Sequence, residues 1–283
     1  MKMSRPAGSL RAAPEMRGMM ETQTGRAALK GPLEGIENFR DFGGYEGAGG
    51  RLKTANFFRS GHHGRATPAD LEALGAHGIS LIVDLRRPEE REREPSKRWS
   101  GFSAEVISND LANESTETWL SFVARAQPSQ SDMHAYMLDY YRAAPYEPRH
   151  VDLFSRYFDA LSRIEGPVLV HCSAGKDRTG VLVALTQTLA GAKEDDIVEE
   201  FLLTNVNSRL EERMPMVAEY LAPLIGRTPD PWMLRTALSV EPEYLQAAFE
   251  SIRARSGSLG NYLSGVMKID DAKRRAIESR LMD

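Results

Sequence analysis

The amino-acid sequence predicts an α/β domain with a mostly parallel central sheet and helices on both of its faces. Residues 81–83 and 168–170 are short apolar runs followed by polar residues, a pattern typical of buried parallel strands. Residues 181–185 are also apolar and follow a small polar turn, which predicts a buried helix. Because the carboxyl ends of parallel strands meet at one edge of a sheet, we expect Asp84 and Cys172 to face the same crevice.

Residues 1–30 differ in composition from the rest of the 283-residue chain. They hold six Lys or Arg against two Glu and show little hydrophobic periodicity, which predicts a flexible N-terminal lead before one folded domain at residues 31–283. The chain has a formal charge of −4 and the lead one of +4, so the predicted domain carries −8. This charge is opposite to that of a nucleic-acid binder.

The sequence contains no apolar stretch of the kind that directs a chain to a membrane. The lead lacks the continuous apolar core of a secretory signal peptide, and no later stretch is long and apolar enough to span a bilayer. We therefore expect a cytoplasmic protein with no integral membrane segment, while secretion without a signal peptide stays open.

Two segments between the predicted strands have helical spacing. Residues 86–94 alternate Arg and Glu, which is typical of a solvated helix face. Residues 115–161 repeat aromatic and aliphatic side chains every three or four positions, which predicts two or three amphipathic helices, explained mostly by core packing. Residues 105–107 between these segments predict another strand, and a helical extension is expected to run to about residue 280.

The turn between residues 168–170 and 181–185 carries the one cysteine of the chain, Cys172, which is followed after five intervening residues by Arg178. Small side chains in this turn let successive backbone N–H groups point inward, and the following helix adds the positive end of its dipole. These small residues are Ser173, Ala174 and Gly175. The turn is therefore suited to an anion.

Both a thiolate and a phosphate group fit this environment. The pKa of a cysteine falls at a helix N-terminus beside a cation, so the Cys172 thiolate could attack phosphorus. Loop N–H groups and a bidentate Arg178 would hold the phosphate oxygens, and water would hydrolyse the cysteinyl phosphate. We expect Thr179 to donate its hydroxyl to the sulfur and His171 to shape the loop from behind. A buried apolar role for Cys172 is the alternative, and a polar turn is a poor place for it.

Several stretches of the sequence carry a family resemblance. Residues 171–180 resemble the signature loop of the protein tyrosine phosphatase superfamily, and the Lys-Asp pair before the arginine makes them similar to the atypical bacterial group of the PtpB and LipA type. Residues 38–44, 58–61 and 82–86 agree with that group. Weaker matches lie at residues 200–205 and 257–262, so that the resemblance covers roughly residues 31–268.

The resemblance implies a cysteine-dependent phosphate monoester hydrolase that acts on phosphotyrosine proteins and on phosphoinositides. The implied catalytic residues include Cys172, Arg178 and Thr179. The implied phosphate-binding residues are Ser173, Ala174, Gly175, Lys176 and Gly180. The same group inserts a helical lid over its site where this chain has residues 115–161, so lid and plain helical core are both open interpretations of that segment.

The general acid has more than one candidate. Asp84 ends a predicted strand at the edge of the sheet, and Asp177 lies inside the loop, where a bound dianion would raise its pKa. The structural alternatives are a strand-end cap for Asp84 and a salt bridge from Asp177 to Arg40 or Arg86. Asp110, after the predicted strand at residues 105–107, is a third and weaker candidate.

Lys176 bears on substrate choice. A flexible cation at the mouth of the loop would favour substrates with charge beyond the scissile phosphate, such as phosphoinositides. The alternative is that Lys176 pairs with a neighbouring carboxylate.

No metal or other cofactor is expected. The six histidines are dispersed apart from His62 and His63, and no HExxH, GxGxxG or Walker-type motif occurs. Two further functions stay open beside the main one, a phosphatase for inositol phosphates or other small polyanions and a non-catalytic module that binds phosphorylated ligands.

Overall fold

The computed structural model describes residues 33–111 and 118–283. The predicted lead at residues 1–30 and the start of the predicted lid, residues 115–117, lie outside the described residues. Seven strands form a five-stranded sheet and a separate two-stranded one within the described part. In chain order they are β1 (Arg40–Asp41), β2 (Glu46–Gly47), β3 (Gly50–Arg51), β4 (Phe57–Ser60), β5 (Leu81–Asp84), β6 (Glu105–Ile107) and β7 (Val168–His171).

Helices flank the larger sheet and make up most of the second half of the chain. They are α1 (Pro68–Ala76), α2 (Pro88–Arg93), α3 (Trp119–Ala126), α4 (Gln130–Ala143), α5 (Pro148–Leu161), α6 (Asp177–Leu189), α7 (Glu194–Leu202), α8 (Thr204–Asn207), α9 (Leu210–Ile225), α10 (Pro231–Leu238), α11 (Pro242–Ser256), α12 (Leu259–Gly265) and α13 (Asp271–Leu281). A short 3₁₀ turn, Ala144–Tyr146, joins α4 to α5. None of the described helices is long and apolar enough to cross a bilayer.

The larger sheet has the strand order β1-β4-β7-β5-β6, in which β1 is antiparallel and the other strands are parallel. Strand β7 lies at its centre, and all four of its residues are buried, which explains the unbroken apolar run in the sequence. The register pairs His171 with Ser60 on one side and with Asp84 on the other. The carboxyl ends of three strands therefore meet at one level, as the sequence predicts for Asp84 and Cys172.

Helix α6 is buried along nearly its whole length and packs on both β4 and β7. A Cβ at Gly180 would lie 2.7 Å from the Phe201 ring of α7, so a glycine lets the two helices approach closely. The mostly parallel α/β fold predicted from the sequence is confirmed.

The aromatic segment at residues 118–161 contributes to two apolar clusters. Helix α5 belongs to the main core, through side chains that include Phe154, Tyr157 and Phe158. A smaller cluster joins α3, α4 and α10 through Val123, Met133 and Met233. Core packing accounts for α5, and a lid formed by the other helices stays a prediction.

Candidate active site

The turn between β7 and α6 holds Cys172, which is buried and forms no disulfide. None of the backbone N–H groups of residues 173–178 donates a hydrogen bond to a described part of the chain. Helix α6 begins at Asp177, which adds the positive end of its dipole to the same turn. Residues 172–178, the cysteine loop below, therefore offer unused donors to an anion.

Gly175 fixes the path of the cysteine loop. Its φ is +65°, a left-handed conformation that favours glycine, and a Cβ there would lie 2.3 Å from the backbone of Ser60. Its carbonyl oxygen accepts hydrogen bonds from Asn38 Nδ2 and Arg59 Nη2, each at 2.7 Å. A larger residue at this position would push the loop off the end of β4.

A buried carboxylate, Glu200 of α7, links this support to the rest of the core. Its Oε1 lies 2.7 Å from Arg40 Nε, and its Oε2 lies 2.6 Å from Arg59 Nη1. Burial and the nearby Arg59 lower the pKa of Arg40 to about 10, so it stays charged at neutral pH. Since Arg59 also holds the Gly175 carbonyl, the ion network positions the cysteine loop.

Arg178 is held by Glu90 of α2. Its Nη1 and Nη2 donate to the two carboxylate oxygens at 2.5 and 2.8 Å, and Nη1 also donates to Leu85 O at 3.1 Å. Burial alone would lower the pKa of Arg178, but the Glu90 carboxylate raises it above its usual value. Nη2 also donates a long hydrogen bond to Ser173 Oγ at 3.4 Å, and Nε–H makes no hydrogen bond to a described residue. An incoming phosphate would therefore bind at the Nε and Nη2 edge of the guanidinium, in place of the Ser173 hydroxyl.

The alternating charges at residues 86–94 form the predicted solvated helix face only in part. Glu89, Glu92 and Arg93 are exposed, but Arg86 and Glu90 are buried, where Arg86 pairs with Asp84 and Glu90 pairs with Arg178. Glu90 also accepts a hydrogen bond from Ser173 Oγ at 2.7 Å. The sequence interpretation missed Glu90 because alternating charge gives no signal for a buried partner.

Arg59 and Glu200 were missed for a different reason. Both lie within the stretches that carry the family resemblance, at residues 58–61 and 200–205, but nothing in those stretches indicates a role for either residue. Their support of the cysteine loop is visible only in the structure, where Arg59 contacts both Glu200 and Gly175 O.

Asp84 lies at the end of β5, as predicted, but its carboxylate is fully engaged. It accepts three hydrogen bonds from Arg86, through the backbone N, Nε and Nη2, at 2.7–3.1 Å. Burial raises the pKa of Asp84, but His171 and Arg86 together lower it well below the usual range. A carboxylate held ionised in this way has no proton to donate near neutral pH, which disfavours Asp84 as the general acid.

Asp177 is placed differently, in the first turn of α6 with its side chain 24% exposed. Tyr141 donates its hydroxyl to Asp177 Oδ1 at 2.8 Å, and Lys176 Nζ lies 3.6 Å from the same oxygen. The alternative salt bridge to Arg40 or Arg86 is not formed, because those arginines bind Glu200 and Asp84. Asp177 is therefore partly exposed, and its second carboxyl oxygen has no partner among the described residues.

The described residues also include Asp110, the third acid candidate, and His171, the residue expected behind the loop. Asp110 follows β6, has a side chain that is 86% exposed and forms an ion pair with Arg91. His171 is buried, with Nδ1 at 3.3 Å from Cys172 O, which is the placement expected of a residue that shapes the loop from behind.

Thr179 departs from its predicted contact. Its Oγ1 is buried and has no hydrogen-bond partner in the described residues, so the expected hydrogen bond to the Cys172 sulfur is not formed. The hydroxyl lies in the first turn of α6, one residue beyond the loop, and it remains free to turn toward a partner.

The expectation that Lys176 is a flexible cation at the mouth of the loop is wrong. The side chain is buried, and Nζ donates to the carbonyl oxygens of Thr236, Ala237 and Ser239 at 3.4, 2.9 and 3.0 Å. These oxygens lie at the C-terminal end of α10, where the helix dipole attracts a cation. Lys176 therefore fastens α10 to the cysteine loop.

We expect Lys176→Met to lower the free energy of unfolding by about 1–3 kcal/mol, because the substitution leaves carbonyl oxygens at the end of α10 without their donor. It should also lower kcat/KM by the same factor on an aryl phosphate and on an inositol bisphosphate. Urea unfolding and kinetics on both substrates measure this. The exposed Lys268 gives the matched control, Lys268→Met. A loss confined to the bisphosphate would contradict the assignment.

Tyr140 of α4 lines the same region, which the sequence did not indicate. Its ring meets that of Tyr141 edge to face, with the centroids 5.6 Å apart. Burial raises the pKa of Tyr140, and its hydroxyl interacts electrostatically with Arg178, Asp177 and Cys172. The hydroxyl therefore stays protonated beside the cysteine loop.

Comparisons with known proteins agree with this geometry. A sequence profile of the tyrosine phosphatase family matches residues 31–283. A Cupriavidus necator protein that carries the name of a tyrosine-protein phosphatase is 32% identical over 245 residues, which cover 85% of each chain. The triple specificity protein phosphatase PtpB of Mycobacterium tuberculosis is 31% identical over 256 residues, covering 82% of this chain and 91% of that one.

Proposed function

Because the chain belongs to the tyrosine phosphatase family and is a phosphoric monoester hydrolase, we propose that it removes phosphate from phosphotyrosine side chains of proteins through a cysteinyl-phosphate intermediate. Phosphoinositides form a second proposed substrate class. The observation that carries the proposal is the set of unused backbone N–H groups beside Cys172, with Arg178 held against them by Glu90.

In the proposed first step, the Cys172 thiolate attacks phosphorus. A sulfur–phosphorus bond forms as the bond from phosphorus to the phenolic oxygen breaks, and Asp177 gives its proton to that oxygen. The N–H groups of the cysteine loop and the Nε and Nη2 edge of Arg178 bind the three remaining oxygens. These donors are already in place, so little reorganisation is needed as charge shifts between the oxygens.

In the proposed second step, water attacks the cysteinyl phosphate. The Asp177 carboxylate takes a proton from the water, the sulfur–phosphorus bond breaks, and inorganic phosphate leaves with the thiolate restored. We assign Thr179 to this step, since its buried hydroxyl has no partner and can donate to the departing sulfur.

Asp177 is the proposed acid because Asp84 is held ionised by Arg86, whereas Asp177 is partly exposed at the start of α6. Tyr141 and Lys176 contact one carboxyl oxygen of Asp177, which leaves the other oxygen without a described partner. The relative named as a triple specificity phosphatase supports more than one class of phosphate ester as substrate.

Asp177→Asn is expected to lower kcat by about 100-fold on a phosphotyrosyl peptide and by less than about tenfold on p-nitrophenyl phosphate. The reason is that nitrophenolate leaves without a proton, whereas a tyrosine oxygen needs one. Steady-state kinetics on both substrates give the comparison. The control is Asp110→Asn, which removes the exposed carboxylate that follows β6. This substitution should change neither rate. Equal losses on the two substrates for Asp177→Asn would assign a structural role instead.

Phosphate release from a phosphotyrosyl peptide and from short-chain phosphoinositides, measured at matched ionic strength, tests the proposed substrates. Turnover of the peptide supports the proposal. Turnover of inositol phosphates without turnover of the peptide would favour a phosphatase for small polyanions, and no turnover of any ester would refute the proposed reaction.

A further inference from the structure

Arg87 lies next to the cysteine loop and shares a carboxylate with Arg178. Its Nε is 3.7 Å from Glu90 Oε2, the oxygen that also lies 2.5 Å from Arg178 Nη1. The backbone N–H of Arg87 donates to the same oxygen at 2.7 Å. Two guanidinium groups therefore flank Glu90, one of them placed for the scissile phosphate and the other beside it.

Arg87 differs from the arginines around it in what its side chain binds. Four nearby arginines donate side-chain hydrogen bonds to described residues, namely Arg86, Arg91, Arg149 and Arg178. The Arg87 side chain makes none to a described residue, since its Nε lies 2.9 Å from Glu89 without the alignment of a hydrogen bond. Buried donors are normally hydrogen-bonded, and Nε is the buried donor of Arg87 that is not. The two terminal nitrogens donate no hydrogen bond to a described residue, so the guanidinium fork is available to an anion.

Glu89, the nearer of the two carboxylates beside Arg87, is easily displaced. The Glu89 side chain is 61% exposed, whereas that of Arg87 is 22% exposed. An ion pair with an exposed partner contributes little to stability, and a phosphate dianion can replace the carboxylate at small cost. Arg87 is thus a partly buried cation that a ligand can reach.

Tyr140 supplies a second group at this place. Its ring centroid lies 5.6 Å from that of Tyr141, whose hydroxyl donates to Asp177 at the start of α6. The Tyr140 hydroxyl makes no hydrogen bond to a described residue, and the charges of Arg178, Cys172 and Arg87 act on it. A protonated phenol with no partner can donate to an anion that Arg87 attracts. Lys176, by contrast, is occupied by the carbonyl oxygens at the end of α10.

We propose that Arg87, with Tyr140, forms a second anion subsite beside the cysteine loop, and that it binds a phosphate group of the substrate other than the one removed. The inference rests on the proposed function and narrows it to esters that carry two phosphates on one small head group, such as an inositol bisphosphate. Arg87 thus has the role that the sequence interpretation gave to Lys176, that of a cation that binds substrate charge beyond the scissile phosphate.

The test compares the wild type with Arg87→Gln on p-nitrophenyl phosphate, on a soluble inositol bisphosphate and on the short-chain lipid that bears the same head group. We expect the ratio of kcat/KM for the bisphosphate to that for the aryl phosphate to fall about tenfold, mainly through KM. Arg87→Lys should retain part of the ratio because the charge remains. Raising the ionic strength should shrink the difference between wild type and Arg87→Gln.

Arg93 gives a matched control, since it is an exposed arginine on the same helix, α2. Arg93→Gln should leave the ratio unchanged. If Arg87→Gln behaves like Arg93→Gln while the wild type hydrolyses the aryl phosphate, the subsite is refuted and the proposed function stands. A loss confined to the lipid would also refute it, because that pattern indicates attraction to a lipid surface. A wild type that hydrolyses none of the esters would instead refute the proposed function.

Discussion

Cys172→Ser is expected to lower kcat by at least about 10⁴-fold on an aryl phosphate and on a phosphotyrosyl peptide alike. A serine hydroxyl at neutral pH is almost entirely protonated and is a much weaker nucleophile than a thiolate. The cysteine loop, Arg178 and Glu90 remain in position, so the variant should still bind inorganic phosphate. Phosphate release and calorimetric titration measure the two properties.

A trapping experiment separates the thiolate mechanism from direct attack by water. Acid quenching of the wild type during turnover of a ³²P-labelled peptide should leave label on the protein, and Cys172→Ser should leave none at this position. Unfolding in urea at an unchanged midpoint serves as the control for an intact fold. Near wild-type turnover by the serine variant would overturn the cysteinyl-phosphate mechanism.

Glu200→Ala is expected to lower the free energy of unfolding by about 3–5 kcal/mol, which is the largest stability effect we predict. The substitution leaves Arg40 and Arg59 buried without their shared carboxylate. A charge left unpaired in the interior loses its hydration without compensation. Chemical denaturation monitored by circular dichroism measures the change.

Glu199→Ala is the matched control for this prediction. Glu199 precedes Glu200 on α7, is only half-buried, and forms no ion pair with a described residue, so its loss should change stability by less than about 0.5 kcal/mol. Folded Glu200→Ala should also show a lower kcat, because Arg59 would no longer hold the Gly175 carbonyl in place. Equal stabilities for the two variants would show that the ion network contributes little.

The position of the candidate site could be predicted from local sequence. An apolar run that is buried on both faces of a sheet differs clearly from its surroundings, so β5 and β7 were predicted to within a residue of their observed bounds. Helix α6 was located by its apolar centre, residues 181–185, although it runs from Asp177 to Leu189. Parallel pairing then fixes which ends meet, and the register brings Asp84 level with His171. Gly175 was likewise predicted as one of the small residues at which the loop turns inward, and its φ of +65° is the left-handed conformation that favours glycine.

The partners of the charged side chains could not be predicted in this way. Lys176 is adjacent in sequence to the groups of the cysteine loop, yet it binds carbonyl oxygens about 60 residues later, at Thr236, Ala237 and Ser239. Glu90 lies in a run that is typical of a solvated helix but is buried against Arg178. A long charged side chain can reach in several directions, and local pattern does not record which groups another element brings within that reach.

The sequence by itself determined three strands of the larger sheet, β5, β6 and β7, together with the loop that carries Cys172 and Arg178 and the family. Burial pattern, turn chemistry and motif order are all properties of neighbouring residues. The tertiary structure decided which partners the charged side chains have. Asp84 is held by Arg86 and Lys176 by carbonyl oxygens, whereas Asp177 keeps one carboxyl oxygen without a described partner and Arg87 lies beside Glu89 and Glu90. The availability of a charge depends on its partners across space, and those partners are set only when the elements pack.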